Sequence, residues 1–330
     1  MVAFRRMKTR EFDYFLPENL IASRPLAGRA DSRMMVIDRA SGTIAHRKFR
    51  EFEDFFPQDH LLVLNDTRVV PARFFSDEEN IECLRTEVVS ELRWWCLVKP
   101  GKKMKTGRTL TVGGCFGTVV EIDEKGQRLI EWNEAPDLDK VGHLALPHYM
   151  GRDDEEMDVE RYQTVFARAE GAIAAPTAGL HFTPEMLTRF EPEYLTLHVG
   201  VGTFRPVKAE RPEDHEMHSE NFLLSEKAAA RINGAEKILA VGTTVTRVLE
   251  HLGRGGRDLE ASSGATDIFI YPPYEFQVVD ALLTNFHLPQ STLLMLVSAF
   301  AGRELVLEAY RQAVVEKYRF YSYGDCMLIR

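Results

Sequence analysis

The chain changes secondary-structure texture twice, and that alternation restricts its fold more tightly than any motif it carries. Residues 1–66 read as mixed α/β: Ser32 to Asp38 (SRMMVID) looks like a strand, and His60 to Asn65 (HLLVLN) is a short apolar run of buried-strand type. From about 67 to 150 short β-rich runs recur, at Val69–Phe75, Ile81–Val88, Trp94–Val98, Thr109–Val112, Phe116–Ile122 and Arg128–Trp132. Gly-, Lys- and Asp-rich turns separate them, and this spacing suggests a small antiparallel barrel or sandwich. Beyond about 151 the α/β texture returns. Leu195–Val199, Ile238–Gly242 and Ile268–Tyr271 read as strands, while Val245–Leu252, Ser291–Phe300 and Glu304–Tyr318 have helical spacing, with Ser291 the expected N-cap. The expected fold class is α/β: a mixed α/β main domain (1–66 plus 151–330) interrupted by an inserted small antiparallel β-barrel domain (67–150). A length of 330 residues suits that arrangement, at roughly 100–200 residues per domain.

Composition narrows the setting. Apolar residues make up 45% and charged residues 28%, which excludes disordered, fibrous and coiled-coil classes. The four cysteines form no C-x-x-C pair, so neither a disulfide framework nor a zinc ribbon is expected. The basic start MVAFRRMKTREFDYF lacks the apolar stretch of a signal peptide, and Leu293–Ala301 is far shorter than the ~20 residues of a membrane helix. A cytoplasmic protein that does not span a membrane is expected. The net charge is −9, yet residues 1–50 carry 11 Lys/Arg against 5 Asp/Glu. A confined basic face on an acidic body follows, at the N-terminal segment and around Lys99–Arg108, although the second run also reads as a solvated hairpin tip.

Several strand ends carry polar or small residues. Gly200-Val201-Gly202-Thr203-Phe204-Arg205 places Arg205 where a dinucleotide fingerprint needs its third glycine, so a nicotinamide site is not expected; the segment is a tight turn or a ligand-facing one. Gly242-Thr243-Thr244 ends a strand and opens a helix, presenting free N–H groups to an anion, unless a threonine merely caps the helix. In Asp214-His215-Glu216-Met217-His218 the second histidine falls three residues on rather than four, so zincin geometry fails and no metal is expected. Asn65-Asp66-Thr67-Arg68 lies where the textures meet, a position suited to a ligand site or to an Asx-turn. Ala174–Phe182 is a run of small residues ending in His181 and Phe182, which either admits a bulky ligand or packs tightly. Tyr318–Asp325 alternates aromatic with polar or small groups; Arg319, Tyr321 and Tyr323 can stack unpaired bases, or the segment can be a terminal strand burying Phe320.

Together and in this order, the blocks resemble one family, the S-adenosylmethionine:tRNA ribosyltransferase-isomerases of queuosine synthesis. The resemblance is carried by FDYFLPENLIASRP (Phe12–Pro25), LNDTRVVPAR (Leu64–Arg73), RYQTVFA (Arg161–Ala167), AAPTAGLHFTPE (Ala174–Glu185), LHVGVGTFRPV (Leu197–Val207), HEMHSE (His215–Glu220), AVGTTVTRVLE (Ala240–Glu250), TDIFIYPPYEF (Thr266–Phe276), TNFHLPQSTLLMLVSAFAG (Thr284–Gly302) and YRFYSYGD (Tyr318–Asp325). The chain departs from the family pattern at Pro273, at His148 and in the shortened loop Ser76–Asn80.

The resemblance implies transfer and isomerisation of the ribosyl moiety of S-adenosylmethionine. The acceptor is a 7-aminomethyl-7-deazaguanine at the wobble position of tRNA with a GUN anticodon, and adenine and methionine are released. S-adenosylmethionine is then a consumed substrate; no cofactor, metal or obligate protein partner is expected, and the chain is expected to be a monomer. A base must take a proton from the sulfonium-activated 5′ carbon, and Asp66, His181, His198 and His215 are the candidates. Expected substrate contacts are Asn65, Thr67, Arg68, Arg73, Thr177, Gly179, Gly200, Gly202, Thr203, Gly242, Thr243, Thr244, Asn285 and His287. Expected tRNA contacts are Arg33, Lys102, Lys103, Lys105, Arg319, Tyr321 and Tyr323. The alternatives are a methyltransferase, which yields S-adenosylhomocysteine, and a non-catalytic RNA-binding module, which leaves S-adenosylmethionine intact.

Overall fold

A computed structural model describes residues 7–78, 81–200, 202 and 207–330. It divides into two compact units: Met1–Arg68, His148–Arg152 and Arg161–Arg330 form one, Val69–Pro147 and Asp153–Glu160 the other.

The first unit is organised by a nine-stranded mixed sheet. Its centre is four parallel strands, in the order Glu193–Leu197, His60–Asn65, Lys237–Val241, Ala281–Asn285. These strands are apolar almost without interruption because helices and loops cover both faces, the signature of a parallel core. Period-2 geometry then sends alternate residues to opposite faces. Val63, Ile238, Ala240 and Leu282 join the core under the helices Thr243–Leu252, Thr292–Ala301 and Arg303–Val315. Leu62, Leu64, Leu239, Val241 and Leu283 join a second core against Phe49, Phe52 and Phe182. The last strand, Cys326–Ile329, runs antiparallel to Ala281–Asn285 and parallel to Arg33–Asp38. Ser291 caps the helix Thr292–Ala301, its Oγ accepting from the Leu294 amide at 3.2 Å. Among the described residues no helix is long and apolar enough to cross a membrane.

The second unit is an antiparallel sheet of six strands, Arg73–Phe75, Glu82–Ser90, Arg93–Lys99, Arg128–Trp132, Cys115–Ile122 and Thr109–Val112 in spatial order. It is nearly closed: just past the first strand, the Asp77 amide donates to the Thr111 carbonyl of the last at 2.8 Å. Phe74, Trp94 and Trp132 fill it.

Three local expectations are corrected. Ile268–Tyr271 belongs to no strand, and the strand is Ser262–Thr266. Val69–Phe75 is broken around Pro71, which has no N–H to give a ladder. Lys99–Arg108 is not a hairpin, because the strands it joins do not pair with each other; it is a 3-10 turn, Gly101–Lys103, anchored by buried Met104.

Candidate active site

Two central parallel strands, Lys237–Val241 and Ala281–Asn285, end at one cleft, the place where open α/β sheets bind ligands. Strand Lys237–Val241 delivers Gly242, whose φ of 91° and ψ of 155° fall in a region only glycine occupies readily. The Gly242 amide donates to the Leu283 carbonyl of the neighbouring strand at 2.7 Å, and the chain turns at once into helix Thr243–Leu252. Gly242 itself holds the N-cap position, so neither threonine caps the helix. The first-turn amides and the positive end of the dipole are left facing the cleft. Thr244 points its Oγ1 there too, buried and without a hydrogen-bond partner. A Gly242→Ala variant is expected to lose about 1–3 kcal/mol from backbone strain, read as a lower thermal unfolding midpoint.

The cleft holds about 670 Å³ of space between its walls, part of it open to solvent. Ala175, Thr177 and Ala178 form one wall, and their small side chains keep it wide. Asn285 and His287 leave the next strand end to form a second wall, and Tyr149, Tyr321 and Ser322 a third. The described lining residues include no carboxylate and no lysine or arginine. His287 bonds Thr284 Oγ1 through Nε2 at 2.9 Å. Burial pushes its pKa down to about 3, so it faces the cleft as a neutral imidazole.

A buried relay sets the third wall. Asn285 Nδ2 donates to the carbonyls of Tyr321 (2.9 Å) and Ser322 (3.3 Å), which leaves Oδ1 as an acceptor for His181 Nε2 at 3.0 Å. His181 therefore carries its proton on Nε2, and Nδ1 accepts from the Ser32 hydroxyl at 2.7 Å. Both nitrogens are committed, and burial pushes the His181 pKa down to about 4. Tyr321 has a φ of +73°, a cost of about 1–3 kcal/mol for a bulky residue that the Asn285 bonds help to hold.

A second hollow shares Leu293 with the cleft and is lined by Gly202, His215, His218, Glu220 and Arg247. His215 is half-buried, rests against the Phe269 ring and has no side-chain hydrogen bond among the described residues. Desolvation, helped by the neighbouring His218, lowers its pKa from the usual 6.5. Beneath it Glu220 pairs with Arg247, both side chains 5% exposed or less, and Glu220 Oε1 accepts from the Gly200 amide at 2.9 Å.

The cleft thus gathers Thr177, Gly242, Thr243, Thr244, Asn285, His287 and Tyr321. Other candidates lie elsewhere. Asp66 accepts from Thr196 Oγ1 (2.6 Å) and from Arg168 Nε and Nη2 (3.0 and 2.8 Å). Asn65 ties two strands through Leu197, at 2.9 and 3.0 Å. Thr67 Oγ1 and His198 Nδ1 bond at 2.8 Å. Arg68 is exposed, 3.7 Å from Glu170. Gly179 is wedged against Phe166 and Thr164. Arg33 lies over the Tyr318 ring at 3.8 Å, and Tyr323 is buried edge-on to Tyr162. Thr203 lies outside the described residues. In the second unit, Arg73 is held by Glu82 and Asp153, each at 2.7 Å. Lys102, Lys103 and Lys105 are exposed and have no ion pair among the described residues. Sequence reasoning missed Tyr149, Ser322 and the Glu220–Arg247 pair; the only signal for the last was a carboxylate and an arginine inside otherwise apolar elements.

Residues 9–329 match the family model described as "Queuosine biosynthesis protein". The chain is 49% identical to the S-adenosylmethionine:tRNA ribosyltransferase-isomerase of Halothermothrix orenii, over 98% of this chain and 100% of that one. It is 46% identical to the same-named protein of Desulfitobacterium hafniense, with the same coverage. A crystal structure of an S-adenosylmethionine tRNA ribosyltransferase from Thermotoga maritima is 37% identical, superposes with a TM-score of 0.55, and covers 97% of this chain and 100% of that one.

Proposed function

Because the chain belongs to the queuosine biosynthesis protein family, we propose that it is an S-adenosylmethionine:tRNA ribosyltransferase-isomerase that draws both substrates to the cleft at the ends of its central strands. The observation that carries this is convergence: four blocks far apart in sequence, around Thr177, Gly242–Thr244, Asn285–His287 and Tyr321–Ser322, line one hollow. The reaction transfers the ribosyl part of S-adenosylmethionine to the aminomethyl group of a deazaguanine at the wobble position of a GUN anticodon, in the cytoplasm and by a monomer without a cofactor. Adenine and methionine leave.

The residues fit the parts of such a substrate. The helix N-terminus at Thr243 and the unpartnered Thr244 hydroxyl suit a carboxylate or another anionic group. The tyrosine faces suit a sulfonium. Neutral His287 and the Thr177 hydroxyl can hydrogen-bond a ring nitrogen without bringing a charge. For the base that takes the 5′ proton we assign His215. Among the described residues it lines a hollow that shares Leu293 with the cleft and makes no side-chain hydrogen bond, whereas Asp66, His181 and His198 are hydrogen-bonded to neighbouring side chains.

Incubation with S-adenosylmethionine and precursor-bearing tRNA, followed by nucleoside mass spectrometry, tests the function. Adenine and methionine should appear in equal amounts with the epoxyqueuosine nucleoside; S-adenosylhomocysteine instead would make the protein a methyltransferase. A polyanion bound by an acidic chain must meet a confined basic surface, so tRNA affinity should fall steeply with salt. Charge reversal of Lys102, Lys103 and Lys105 to Glu is expected to weaken tRNA binding and flatten that dependence. Filter binding across a salt series that shows no change would remove this loop from the surface.

A further inference from the structure

Next to the cleft is a hollow built around cations. Arg29, Ser32, Arg161, His181 and Tyr323 line it, and Ser322 borders both it and the cleft. Arg29 is fixed against the wall by Nη1, which donates to the carbonyls of Gln163 (2.9 Å) and Leu180 (3.3 Å). Arg161 donates from Nη1 to the Ala27 carbonyl at 3.0 Å, while its Nε is buried with no hydrogen-bond partner. Arg319, on the loop that carries Tyr323, donates from Nη2 to the Arg24 carbonyl, and its Nη1 is likewise buried without a partner.

The carbonyl oxygens that position Arg161 and Arg319 carry no formal charge to offset theirs. Arg161 has no ion pair among the described residues. Near Arg319 the carboxylate is Asp325, whose oxygens receive the backbone amides of Arg33 and Arg319 at 2.7 and 2.8 Å and whose charge offsets part of that of the Arg319 guanidinium. His181 adds no charge, since its nitrogens are taken by Ser32 and Asn285. The result is a walled pocket with Arg29 and Arg161 in its lining. One orphaned buried N–H donor lies on Arg161 and a second on Arg319, just outside that lining on the loop that carries Tyr323, and desolvation makes such donors costly unless an anion meets them. Guanidinium forks match the paired oxygens of a phosphate.

We propose that this hollow is a phosphate subsite, in which Arg161 and Arg29 in the wall, with Arg319 beside them, hold the phosphodiester of the nucleotide whose base enters the adjoining cleft. The proposal rests on the tRNA function above. In a nucleic acid every base carries a phosphate one sugar away, and two hollows sharing Ser322 can take that pair together.

The test measures tRNA binding by wild type, Arg161→Gln and Arg319→Gln across a salt series, and competition by inorganic phosphate. Each glutamine variant should bind tRNA about tenfold more weakly and lower the log–log salt slope by about 0.7, the value for one single-strand contact. The KM for S-adenosylmethionine should not move. Phosphate should compete with tRNA on wild type and lose that effect on Arg161→Gln. Arg161→Lys should restore part of the slope, which a folding defect would not allow. Unchanged affinity and slope in both glutamine variants would overturn the site. Phosphate competition equal in wild type and Arg161→Gln would overturn it as well. A wild type that binds phosphate here but neither binds nor modifies tRNA would instead bring down the tRNA function and leave a site for a small free phosphate.

Discussion

His215→Ala is expected to lower kcat by about 10²- to 10⁴-fold, the usual worth of a positioned general base, with the KM for S-adenosylmethionine changed by about threefold or less. The imidazole has the exposure and the neutral form that proton abstraction requires. Its pKa lies below the usual 6.5 because burial and the neighbouring His218 both oppose its charge. The base works only when unprotonated. Turnover should therefore be level above neutral pH and fall as pH drops through that lowered value. Removing the opposing neighbour reverses part of the shift, so His218→Ala should move the acid limb to higher pH without abolishing turnover. Stopped-time assays of adenine release from pH 5 to 9 read both effects. A His215→Ala enzyme with near-normal kcat would take the base role away from this residue and return it to Asp66 or His198.

What could be read in the sequence followed local chemistry. Runs such as His60–Asn65, Thr109–Val112 and Arg128–Trp132 match their strands because β-branched and apolar residues bounded by turn formers admit one interpretation. Ile268–Tyr271 misled for a physical reason: Ile268 and Ile270 are buried in the helical core, so the segment is apolar without belonging to a ladder. Pairing is equally silent in a linear reading. The lysine-rich loop joins strands that are adjacent in sequence and separate in the sheet.

In the site, strand ends were legible because glycine and hydroxyl side chains after an apolar run signal an opened backbone, and Gly242–Thr244 and Thr177 do reach the cleft. Roles were not. His181 looks like a catalytic candidate until Ser32 and Asn285, 149 and 104 residues away, are seen to occupy both nitrogens. The alternation in Tyr318–Asp325 fits exposed stacking and burial equally well. Tyr321 and Tyr323 are buried, the first at a left-handed turn held by Asn285, a constraint that residue type does not encode.

The largest effect on stability should come from Glu220. Its carboxylate lies opposite the Arg247 guanidinium, with both side chains almost wholly out of water. Arg247 also donates to the carbonyls of Ile268 (3.3 Å) and Thr266 (3.5 Å). Glu220→Ala would leave that guanidinium buried without a counter-charge, which costs about 3–5 kcal/mol. At about 2–4 °C per kcal/mol for a domain of this size, the unfolding midpoint should fall by roughly 10 °C. Glu220→Gln separates charge from geometry. Its amide oxygen can still accept from the Gly200 amide, so the turn beside the second hollow keeps its anchor while the electrostatic partner is lost. The double variant Glu220→Leu with Arg247→Met removes both charges and should recover much of the midpoint, because an apolar pair of similar volume avoids the desolvation penalty. It should not recover turnover, since the Gly200 amide then has no acceptor and the turn next to His215 loses its fixed position. Calorimetry and adenine release on the three variants separate these terms. A Glu220→Ala protein that melts with the wild type would mean that water or another group reaches Arg247, and that the pair does not hold this end of the sheet.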